Sequence, residues 1–171
     1  MPNRTSWDLP WQHRPAEEAR NLNPAFCGEL ISRTALEYFR LREQPFGFAL
    51  SFVILPIVLH KPTREQLPGN ASAAFAGWVA DRGPILAELP DRVLRLVPVT
   101  REALLFLIQH KVMSLDAGGL SPGVKTISRS ARPLQVTDDV ADARSAASLL
   151  GRWFASQASA ASIMQGLGVS P

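Results

Sequence analysis

The stretch from Val99 to Ile127, VTREALLFLIQHKVMSLDAGGLSPGVKTI, constrains the fold of this chain more than any other. Thr100 reads as an N-cap, with Arg101 and Glu102 opening the first turn of a helix. Ala103 to Ile108 is apolar without a break, and Val112 and Met113 extend the apolar surface. A helix apolar nearly all round belongs in a core. Ser114, Leu115 and Asp116 then lead into Ala117-Gly118-Gly119, whose glycines supply the φ > 0 positions of a tight hairpin turn. The expected fold is mainly α with a small β-hairpin, an α+β chain. A helix feeding a strand–turn–strand is the second half of a winged helix, so a winged-helix-like core is the architecture to look for.

The 171 residues suffice for one domain with a sizeable core, with or without an added arm, and 46% apolar against 19% charged residues describes a globular chain. The longest apolar run, Phe46 to Leu59, is broken only by Ser51 and is 14 residues long, short of the about 20 that cross a bilayer. It reads as a buried helix with a kink at Pro56. Met1 to Pro15 contains no apolar signal region. Cys27 is the single cysteine, so no internal disulfide is expected, and the cytoplasm is the expected compartment.

Residues 1–22 hold Pro2, Pro10 and Pro15 without a period and read as an extended arm. Trp7 and Trp11 in that arm either pack back onto the domain or anchor a partner, since Trp is enriched at binding hot spots. Residues 23–136 read as a helical, winged-helix-like core. Asn23-Pro24 starts its first helix, which runs to about Glu43. Further helices are expected over Ala71–Asp81, stopped by Gly83-Pro84, and over Ile85–Val97, which Pro90 either leaves whole or splits in two and Pro98 ends. Ser128 to Val136 reads as a linker. Residues 137–171 read as a C-terminal helical segment packing on the core, with Thr137 as a cap, the stripe Val140, Ala143, Ala147, Leu150 and Phe154 with Trp153 beside it, and a last helix from Ser159.

No catalytic constellation is legible. Cys27 in the first turn of its helix is the one candidate nucleophile, and its competing reading is a small buried hydrophobe. His13, His60 and His110 show no metal-ligand spacing, and no Gly-rich loop is followed by Lys-Ser or Lys-Thr. No catalytic residue, cofactor or metal is therefore assigned. The net charge of +3 matches the excess carried by Lys125, Arg129 and Arg132 around the hairpin exit, a solvated loop or a small phosphate-facing patch. In the central helix only Arg101, Gln109 and Lys111 could reach base edges, which argues against direct readout of DNA.

Asn23-Pro24-Ala25-Phe26-Cys27, the run Phe52-Val53-Ile54-Leu55-Pro56-Ile57-Val58-Leu59-His60-Lys61 followed by Thr63-Arg64 and Leu67-Pro68, and Thr100-Arg101-Glu102-Ala103-Leu104-Leu105-Phe106 occur in an order that resembles one family. It is the middle component of three-component ABC-ATPase systems, as in Lamassu-type anti-phage defence. The resemblance spans about Asn23 to Leu120, with a weaker echo in Ile163 to Val169, and leaves residues 1–22 outside. It implies a non-catalytic subunit comparable with the accessory subunits of bacterial condensins. Such a subunit would bridge an SMC/Rad50-like coiled-coil ATPase that senses DNA to an effector protein such as a nuclease. DNA would then be reached through the complex, and no membrane is involved. The competing reading is a free-standing winged-helix DNA-binding regulator.

Overall fold

The computed structural model describes Ser6 and residues 9–127, 136–157 and 159–170. A 3-10 turn at Trp11–His13 is followed by α1 (Ala16–Asn21) and the long α2 (Pro24–Arg42). A 3-10 turn at Phe48–Leu50 leads into α3 (Ser51–Val58), and α4 (Lys61–Arg64), α5 (Phe75–Asp81) and α6 (Gly83–Leu86) are short. The longest helix, α7 (Leu89–Gln109), runs into the hairpin β1 (Met113–Asp116) and β2 (Gly119–Pro122), and α8 (Asp138–Ala155) and α9 (Ala160–Gly166) close the chain.

The hub of the core is α2. Asn23 caps it by accepting from the Phe26 N–H at 2.8 Å, and Pro24 occupies a first-turn position that needs no donor. It packs against α8 on one side and α7 on another. Small residues let the α8 backbone come close: Gly151 faces the Thr34 carbonyl, and the Thr34 hydroxyl donates across the contact to Ala147 O at 2.9 Å. Of the expected α8 stripe, Ala143, Ala147, Leu150 and Phe154 are buried and Val140 is half-buried. Trp153 is buried too, its indole edge-on to Phe75 and to Trp78 at 5.1 Å each, its N–H donated to Ala73 O at 2.8 Å. Ser159 and Ser162 form a capping box that starts α9, and Ile163, Met164 and Leu167 are buried as the spacing predicts.

Several boundaries differ from the sequence reading. Pro98 does not end a helix and Thr100 does not start one, because α7 is continuous through both. Pro98 lacks the N–H that would bond Leu94 O, and it sits on the outer side of α7, where Leu94 is 70% exposed. Thr100 is fully buried mid-helix, and its hydroxyl has no partner among the described residues. Pro90 splits nothing, since it lies in the first turn of α7; α5 does stop at Asp81, just before Gly83-Pro84, and that pair also opens α6. The Ala71–Asp81 helix begins only at Phe75. The run Phe46–Leu59 is divided between extended backbone at Phe46, a 3-10 turn and α3, with Pro56 inside α3. Within the arm, Ala16–Asn21 is helical rather than extended. The linker reading of 128–136 lies, but for Val136, outside the described residues.

The hairpin is anchored from both ends. Its strands pair antiparallel with Met113 opposite Pro122 and Asp116 opposite Gly119. Phe46 adds a third backbone segment, exchanging N–H···O bonds of 2.8 Å with Leu120 in both directions. Upstream, α7 terminates in a Schellman turn: Lys111 N–H donates to Ile108 O and Val112 N–H to Leu107 O, both at 2.9 Å, with Lys111 at φ 58°.

Candidate protein-docking surface

The residues that make α7 apolar all round divide into two faces. Val99, Ala103, Leu104 and Leu107 are buried against the core, whereas Leu94 and Leu105 are 70% and 57% exposed. This corrects the reading of the helix as wholly internal. Leu94, Pro98, Arg101, Leu105 and Ile108 follow one another at alternating steps of four and three, one line along the outside of the helix. Pro98 and Ile108 are half-buried and Arg101 is exposed. The spacing was in the sequence all along, but a continuously apolar segment does not say which side is left open.

The N-terminal arm borders this line. Arg14, almost wholly buried, pairs with Glu102 at 2.8 Å and donates to Leu9 O at 3.0 Å. Trp11 donates its backbone N–H to Glu102 at 3.2 Å and its indole N–H to Ala19 O, so it packs back onto its own chain. It remains 37% exposed and lines an apolar groove of about 650 Å³ with Ala16, Ala19, Pro24 and Phe106. Trp7, Arg129 and Arg132 lie outside the described residues. Lys125 is exposed at the hairpin exit, its N–H donated to Lys111 O at 2.9 Å.

The string around His60 builds a polar corner inside the protein. Arg92 of α7 reaches His60 Nδ1 at 2.8 Å, Thr63 Oγ1 at 3.1 Å and Ile85 O at 3.2 Å, and the Thr63 hydroxyl lies 2.7 Å from His60 Nδ1. Donors converging on Nδ1 suit a neutral ring, and burial, reinforced by the Arg92 charge and opposed by Glu88, holds the His60 pKa below its ordinary value. Arg64 donates to Val58 O at 2.7 Å and pairs with Asp139 in the first turn of α8. The His60, Thr63 and Arg64 side chains therefore lock the α3–α4 corner to α7 and α8. These are packing roles. They assemble no nucleophile and base.

Cys27 is fully buried and its thiol is pushed up to about 12, by burial first, with Arg14 lowering it and Glu102 raising it. At neutral pH the thiolate is a negligible fraction. N-ethylmaleimide is expected to leave the native protein unmodified over an hour and to label it fully in denaturant. Fast labelling of the folded chain would contradict the burial described. Among the described residues no cluster of His, Cys, Asp or Glu could hold a metal, and no helix is long and apolar enough to cross a membrane.

Comparison with known proteins identifies a family. No curated protein and no solved structure matches the chain significantly. Residues 11–171, however, match the family model described as ABC-three component (ABC-3C) system Middle Component 3. The match takes in most of the arm, which the resemblance to residues 23–120 had left out, together with α8 and α9. The chain belongs to the Middle Component 3 family of ABC-three component systems.

Proposed function

We propose that this middle component is a non-catalytic bridging subunit of a Lamassu-type anti-phage complex in the cytoplasm, joining an SMC/Rad50-like DNA-sensing ATPase to an effector such as a nuclease. The observation that carries the reading is the line on α7 where Leu94 and Leu105 stay exposed beside half-buried Pro98 and Ile108, since large apolar side chains left open on one helix face mark an interaction site. Family membership supports it by making the chain one of several components. The order α2, Phe46 bridge, α3, α7, hairpin supports the winged-helix comparison with condensin accessory subunits. Trp11, with Trp7 upstream, remains the proposed second anchor, through its exposed edge. Lys125, with Arg129 and Arg132 next along the chain, is the proposed DNA-backbone contact once the complex is assembled.

Co-expression with the other two components of the system tests this. A tagged chain is expected to elute with both at moderate salt in fixed stoichiometry. Recovery of the chain alone, soluble and monodisperse, would overturn the bridging role. A free-standing regulator would instead show salt-sensitive DNA binding by the isolated chain, its log–log salt slope shrinking by about 0.9 for each cation removed among Lys125, Arg129 and Arg132.

A further inference from the structure

We infer that the line Leu94, Pro98, Arg101, Leu105 and Ile108 receives a single amphipathic helix from another component, apolar at heptad spacing and carrying a carboxylate opposite Arg101. The inference rests on the bridging reading and specifies its interface. Steps of four, three, four and three average 3.5 residues, the repeat at which two helices keep one seam in contact by knobs-into-holes packing. The seam covers two heptads, about 21 Å of helix. Its opposite face is fixed by Val99, Ala103 and Leu107 in the core, so the surface is held ready before a partner arrives.

Charge selects the occupant. Arg101 is exposed at the middle of the seam and makes no ion pair among the described residues, and Arg95 on its flank is exposed as well. Of the acids along this face, Glu102 is already paired with Arg14, and Asp91 is exposed one step before Leu94, at the N-terminal end of the line. At its middle the seam therefore offers a cation, and a carboxylate on the partner opposite Arg101 would form a charge-assisted pair there. A second copy of this chain is disfavoured by symmetry. A two-fold axis through the middle of the seam, the arrangement that covers all of it, sets Arg101 against Arg101. DNA is disfavoured too, because Leu94, Pro98, Leu105 and Ile108 offer no side-chain donors to bases or phosphates.

The test uses the full chain and the separately purified ATPase and effector components. Leu105→Asp is expected to weaken binding to one of them about 30-fold, and Arg101→Glu about 10-fold. Val124→Asp, at an 84% exposed position beyond the hairpin, is expected to bind within two-fold of wild type. Melting temperatures of the free variants report whether each is folded, and a wild-type chain with a photo-crosslinker at Gln109, beside the seam, needs no disruptive change. Crosslinks to a heptad-patterned helix, and restoration of Arg101→Glu binding by an acid-to-Arg change on it, would establish the inference. Wild-type binding with full affinity in both seam variants would overturn it and leave the bridging reading standing. Self-association of wild type that Leu105→Asp abolishes would also overturn it, in favour of a second copy. Failure of wild type to bind either component would remove the bridging reading itself.

Discussion

Gly151→Ala is expected to destabilise the fold by about 2–4 kcal/mol, although alanine is the better helix former by about 1 kcal/mol. An added Cβ would fall inside the contact distance of Thr34 O and 2.7 Å from Glu37 Cβ. Neither obstacle is a flexible chain end, so α2 and α8 must move apart. Separation strains the bond from Thr34 to Ala147 O, which contributes about 1 kcal/mol, and opens a densely packed helix pair. The melting temperature should fall by roughly 5–15 °C, at the usual few degrees per kcal/mol for a chain of this size. Gly77→Ala is the matched control. It lies on the exposed face of α5 with nothing closer than 4.0 Å, and should stabilise by about 0.5–1 kcal/mol. The same substitution with opposite signs at the two sites isolates the helix contact from helix propensity. Equal, small effects at both would show that α2 and α8 are not in such close contact.

Gly151 illustrates what could not be read in advance. The stripe on α8 was legible because apolar residues recur at helical spacing, but a glycine inside it says nothing of what approaches it. The caps at Asn23, Thr137 and Ser159 were legible for a local reason: the side chain that accepts and the N–H that donates lie within three residues. The junction at Pro98 was misread because local rules give proline its ordinary meaning, a stop. The structure overrides this on the outer side of α7, where Leu94 is exposed and the helix runs on through Pro98. The Schellman turn after α7 was hidden by Lys111, which takes a conformation usually marked by glycine. The candidate surface was half legible. Its residues stood in the string from Arg101 to Phe106, yet exposure depends on which neighbours cover α7, and those are far away in sequence. For Trp11 the sequence allows two readings, and the structure gives it both an internal hydrogen bond and an exposed edge.

Gly119→Ala is expected to cost about 3–5 kcal/mol, the larger of the two hairpin-glycine effects. Gly119 holds φ at +123°, where a side chain adds strain of about 1–3 kcal/mol. Its Cβ would also meet Phe46 O, with the Phe46 carbonyl carbon 2.9 Å and Gly47 Cα 3.3 Å away. Relief requires breaking the paired bonds between Phe46 and Leu120, each contributing about 1 kcal/mol. Phe46 is fully buried edge-on to Tyr38 at 5.3 Å, so a shift there opens the core. Gly118→Ala should cost under about 1 kcal/mol, because Gly118 has no positive φ and its nearest neighbours, at 3.2 Å, are the Asp116 carboxylate and the Pro45 ring. Urea unfolding of the three proteins measures both differences, and a Gly119→Ala midpoint equal to that of Gly118→Ala would contradict the anchoring role of Phe46. The pair also separates the hairpin from the docking seam. Leu94 to Ile108 lie upstream of the Schellman turn, so Gly119→Ala held cold enough to stay folded should bind the partner component as wild type does. Reduced binding under those conditions would make the hairpin, and not α7 alone, part of the interface.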